Sequence, residues 1–118
     1  MTNLITFIGS GKGTWAHVQE VIKNEEWEKI FIITDEFGAK NFQAEKEVEF
    51  ILVNPKRYLK DLSLDIKKNL EGKIMDTEVA INFISGNGKE HMALLSAILK
   101  LGLGMRFVAL TPKGVKEI

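Results

Sequence analysis

Leu4-Ile5-Thr6-Phe7-Ile8-Gly9-Ser10-Gly11-Lys12-Gly13-Thr14, residues 4–14, passes from an apolar run through a glycine cluster into a new periodicity. The run from Leu4 to Ile8 is short, β-rich and closed by glycine, which predicts a buried strand. Beyond the cluster, Trp15, Val18 and Ile22, supported by Val21, recur at helical spacing. Residues 14 to about 26 therefore read as an amphipathic helix with Gln19, Glu20 and Lys23 outward. Strand, glycine turn, helix is the repeating unit of an open α/β sheet.

The same grammar continues outward from this stretch. Lys29 to Thr34 is an apolar run of the kind covered on both faces, and Val48 to Val53 predicts a third strand. Between them, residues 35–46 are the least readable part; Phe37 and Phe42 are candidate anchors for either a short helix or an ordered loop, and Gly38 weakens the helix. Asn54-Pro55 places proline where a helix would begin, and Leu59, Leu62, Ile66 and Leu70 form its stripe, with Gly72 as the cap. Val79 to Ile84 is a fourth strand, Lys89 to Leu101 a helix, and Arg106 to Leu110 a fifth strand. Thr111-Pro112-Lys113-Gly114 then turns the chain into a possible terminal hairpin with Val115 to Ile118. The expectation is a three-layer, Rossmann-like α/β fold. It has a mainly parallel sheet of five or six strands in the order 3-2-1-4-5, helices on both faces, and one domain spanning residues 1–118. Residues 92–101 are apolar except for Ser96 and Lys100, so that helix should be covered on more than one side.

The first loop has a near-duplicate. Phe83-Ile84-Ser85-Gly86-Asn87-Gly88-Lys89 also leaves a strand for a helix and also carries serine, glycines and a lysine. In the expected order, strands 1 and 4 are neighbours where the winding reverses, and their carboxyl ends open a crevice with the two loops facing across it. Glycine lets backbone amides approach a ligand, helix amino ends carry partial positive charge, and lysine adds a full one, a combination suited to phosphate. The phosphate-binding P-loop pattern fails because Lys12 is followed by Gly13, and the dinucleotide fingerprint fails by one position. Asp35 nevertheless stands where a ribose-binding acid would, which keeps a dinucleotide-binding subunit of an oxidoreductase open.

Asn82 to Lys89, followed by Met92-Ala93 and an apolar helix ending at Leu101-Gly102, resembles the fourth-strand motif of CRISPR-associated Rossmann-fold (CARF) domains. Ser10 and Thr14 are similar to that family's loop after strand 1, and Thr111 to Ile118 to its terminal hairpin. The resemblance implies a homodimer that senses a cyclic oligoadenylate in antiviral defence. Ser10, Gly11, Lys12, Thr14, Ser85, Gly86, Asn87, Gly88 and Lys89 would line its pocket. It also admits a metal-independent ring nuclease that cleaves the same ligand. The family's usual fused effector is not found in these residues.

Composition narrows the remaining classes. With 16 basic and 16 acidic residues the net charge is zero, which argues against a duplex nucleic-acid binder and leaves any phosphate-bearing nucleotide to a local site. Zero cysteines exclude thiol catalysis and fit a reducing cytoplasm; no leader or membrane segment is expected. His91 reads as a structural histidine before a proton-transfer group, His17 likewise, and Trp15 as core before a base-stacking surface. No carboxylate accompanies the histidines at ligand spacing, so neither a metal nor a cofactor is expected, and no residue is singled out as catalytic.

Overall fold

The computed structural model describes residues 2–118. Five strands run parallel: β1 (Thr2–Phe7), β2 (Trp27–Thr34), β3 (Glu49–Leu52), β4 (Glu78–Asn82) and β5 (Gly104–Thr111). The last, β6 (Gly114–Glu117), pairs antiparallel with β5, and the sheet order is β3-β2-β1-β4-β5-β6. Four helices, α1 (Trp15–Lys23), α2 (Glu36–Asn41), α3 (Leu59–Leu70) and α4 (Gly88–Lys100), complete the Rossmann-like arrangement.

Strand periodicity divides the core in two. On β1, Ile5 and Phe7 point to one face, where Phe31, Ile33 and Ile81 join them against Leu62 and Ile66 of α3 and Ala93, Leu94, Ala97 and Ile98 of α4. Leu4 points to the other face, with Ile30, Ile32, Ala80 and Val108 against Val18, Val21 and Ile22 of α1. Both faces are sealed, which is why the central strands read as unbroken apolar runs. Burying each such Leu, Ile or Phe contributes about 1.5–3 kcal/mol. The consequence for function lies in the connections: α1 leaves β1 toward one face, while α4 leaves the adjacent β4 toward the other. The two glycine loops diverge from neighbouring strand ends.

Residues 36–41 are helical despite Gly38, and the glycine is what permits it, because a Cβ there would lie 1.8 Å from Thr34 Oγ1. Asp35 caps this helix, its Oδ1 accepting the Gly38 amide at 2.9 Å. Phe37 and Phe42 do act as anchors, both meeting the Trp15 ring. Pro55 departs from the expectation and does not open a helix. Asn54 Oδ1 accepts the Lys56 amide and the Asn54 carbonyl accepts that of Arg57, making a turn that delays α3 to Leu59. β4 also ends early, at Asn82, whose side chain accepts the Ile84 amide and donates to the Val108 carbonyl. Gly72, Gly102 and Gly114 take positive φ at the ends of α3 and α4 and in the hairpin, as those stop signals require.

Candidate functional site: the crevice between the glycine loops

Gly9 is the junction of the site. Its amide donates to Ser85 Oγ at 2.9 Å, its carbonyl accepts from Trp15 Nε1 at 3.1 Å, and a Cβ on it would lie 3.0 Å from Gly86 Cα. Only two glycines allow the backbones of the loops after β1 and β4 to meet this closely. Above the contact lies a crevice of about 420 Å³, lined by Gly9, Ser10, Gly11, Gly13, Thr14, Ile84, Gly86, Asn87 and Glu90.

The expected residues separate into two groups. Ser10, Gly11, Thr14, Gly86 and Asn87 line the crevice. Ser85 is buried beneath it, its hydroxyl committed to Gly9, and so fastens the loops together. The lysines turn elsewhere: Lys89 Nζ donates to the Pro55 carbonyl at 2.9 Å, and Lys12 Nζ lies 5.6 Å from the Trp15 ring and 5.5 Å from that of Phe37, within cation–π range. Neither they nor Gly88 line the crevice. An anion would thus meet backbone donors first. The 3-10 turn Lys12–Thr14 has no side-chain cap and no acidic residue in its first turn, so its amides lack a capping acceptor, whereas the Trp15 amide that opens α1 donates to the Lys12 carbonyl.

Opposite this turn, α4 begins under a full capping box. Asn87 Oδ1 accepts the Glu90 amide and Glu90 Oε1 accepts the Asn87 amide, both at 2.9 Å. Glu90 is absent from the residues expected to line the site, although the spacing Asn87-x-x-Glu90 is a capping-box signature visible in the sequence. It is only 6% exposed and lines both the crevice and a larger cleft of about 800 Å³ over the ends of β1, β2 and β3. That cleft also takes Asp35, Phe37, Asn54, Lys56 and Arg57. Arg57 is held by both carboxylate oxygens of Asp65, at 2.9 and 2.7 Å.

Both histidines and Trp15 are held by contacts within the fold. His91 Nε2 lies 2.6 Å from the Ser85 carbonyl, which can only accept, and its ring stacks on Phe83 with centroids 4.6 Å apart. His17 Nε2 accepts the Leu110 amide at 3.1 Å, so it is unprotonated, and burial lowers its pKa. Among the described residues no group of three or more His, Asp or Glu side chains is placed to hold a metal, and no helix is long and apolar enough to cross a membrane. No protein-family model and no curated protein matches the chain.

Proposed function

We propose that the chain is a nucleotide-binding domain that takes a phosphate of a cyclic oligoadenylate, or a related nucleotide, between the loops after β1 and β4, and that two copies assemble to form the complete site. The observation that carries this reading is the crevice itself: two glycine loops in backbone contact, with the uncapped turn Lys12–Thr14 on one wall. Phosphate binding at such a place needs no lysine, because several convergent amides and a helix end supply the donors. Ile84, Gly86 and Asn87 of the CARF-like motif Asn82 to Lys89 line the other wall, and this resemblance supports a cyclic oligoadenylate over a free phosphate.

Dimerisation is supported by what α4 leaves uncovered. The helix packs against α3 and the sheet through Ala93, Leu94, Ala97 and Ile98, yet Met92 and Leu99 remain 59% and 64% exposed. Phe107 on β5 and Ile118 at the chain end add further exposed apolar surface. Large apolar side chains left exposed on α4, β5 and the last residue are the material of an interaction surface.

One observation favours a second reading. Asp35 lines the larger cleft beside Gly9 and Ser10, the relation that ribose has to phosphate in a dinucleotide site. A thermal-shift panel of cyclic tetra- and hexa-adenylate, NAD, ATP and inorganic phosphate separates the readings, since a ligand at one hundred times its Kd stabilises by about 2.7 kcal/mol. Stabilisation by a cyclic oligoadenylate alone supports the sensor, stabilisation by NAD alone the dinucleotide subunit, and no response to any nucleotide rejects both.

A further inference from the structure

A buried carboxylate is out of place in a crevice built for phosphate. The capping box of α4 uses one oxygen of Glu90, and a residue at that helical position serves a cap equally well from the surface. Glu90 instead lies nearly buried between the loops, its Oε1 3.1 Å from where a Cβ on Gly86 would sit and 3.8 Å from that of Gly9. Among the described residues no side-chain or capping hydrogen bond engages Oε2. The residue lines both cavities, so it stands where they join. Oε2 has no side-chain or capping donor yet is not sealed from solvent, so it is an open acceptor for a hydroxyl that enters the crevice.

We propose that Glu90 is a specificity-determining residue that accepts a hydrogen bond from a sugar hydroxyl of the ligand, so that the site takes ribonucleotides and rejects their deoxy counterparts. The proposal rests on the nucleotide reading above and names what that site reads. In a 3′,5′-linked ring the free donor is the 2′-hydroxyl. The phosphate then lies on the opposite wall, at the amides from Lys12 to Thr14, away from the carboxylate. The larger cleft, whose acids Asp35, Glu36, Asp65 and Glu90 exceed its cations Lys56 and Arg57, suits the uncharged nucleoside portion rather than further phosphates.

The experiment measures binding of cyclic tetra-adenylate, of its 2′-deoxy counterpart and of inorganic phosphate to the unmodified protein and to Glu90→Gln, which preserves the shape of the cap. The unmodified protein should prefer the ribo ring by roughly tenfold or more, the worth of a charge-assisted hydrogen bond. In Glu90→Gln that preference should fall to about threefold or less while inorganic phosphate binds more tightly, because a like charge has been removed. A residue that merely capped α4 would move neither quantity in this way. Equal affinity of the unmodified protein for the two rings overturns the proposal without recourse to the variant, as does an undiminished ribo preference in Glu90→Gln. Failure of both rings to bind brings down the nucleotide reading, and this proposal with it.

Discussion

Gly9 and Gly86 touch backbone to backbone: a methyl group on the first would lie 3.0 Å from the Cα of the second. This contact joins the loops of two strands that are far apart in sequence and adjacent in the sheet, and it sets the floor of the crevice.

Enlarging either glycine should therefore open the site. Gly9→Ala meets backbone, which cannot rotate aside, and should cost about 1–3 kcal/mol by overpacking. Gly86→Ala should cost more, since φ is +99° and the new group also meets His91, Glu90 and Phe7 at 3.0–3.2 Å. Gly11→Ala faces open space and should be nearly neutral. Denaturant unfolding of the three variants checks the ranking, which fails if Gly11→Ala is the most damaging.

The two serines should behave oppositely. Ser85→Ala leaves the Gly9 amide without its acceptor and should cost about 1–3 kcal/mol of stability. Ser10→Ala, on the exposed rim, should leave stability unchanged and weaken cyclic tetra-adenylate binding by a few-fold, about the worth of a neutral hydrogen bond. Equal stability losses in the two variants would contradict the assignment.

Acid should weaken the fold through His17. Its neutral Nε2 accepts the Leu110 amide and burial lowers its pKa, so as pH falls below the ordinary histidine value of 6.5 the unfolded chain binds the proton first and stability declines. Replacement of His17 by glutamine should flatten the dependence between pH 7 and 5, measured by urea unfolding at a series of pH values. An unchanged slope would show that other groups control it.

Leu99→Lys tests assembly without touching the core, since Leu99 is largely exposed while its neighbours Ala97 and Ile98 are buried. Sedimentation at micromolar concentration should find a dimer for the unmodified protein and a folded monomer for the variant. A strict monomer from the unmodified chain would remove the symmetric site.

The sheet was legible in the sequence because both of its faces are covered, so β1, β2 and β4 appear as plain apolar runs closed by glycine or a polar turn. At residues 36–41 the sequence leaves a short helix and an ordered loop as alternatives for a physical reason: the helix depends on the Thr34 hydroxyl lying against Gly38, a contact that no periodicity reveals. At the candidate site, glycine spacing marks the two loops that meet, but the sign of a lysine does not say where it points: long side chains go where partners are, and Lys89 and Lys12 lie against a carbonyl and two aromatic rings outside the crevice. Glu90 is legible from its capping spacing only as a helix cap, because its burial between two loops distant in sequence is a tertiary property.

The central claim is that the open amides beside Gly11 receive a phosphate of the ligand. Gly11 has extended backbone and free space around it, so Gly11→Asp should fold normally, with its carboxylate placed to cap the helix start where the anion would lie. Titration of cyclic tetra-adenylate into both proteins is the direct measurement. Binding by the unmodified protein, and a loss of roughly tenfold or more in Gly11→Asp at unchanged or slightly higher melting temperature, is the predicted result, since juxtaposed like charges at an interface cost on the order of several kcal/mol. Equal affinity in the two proteins would contradict it.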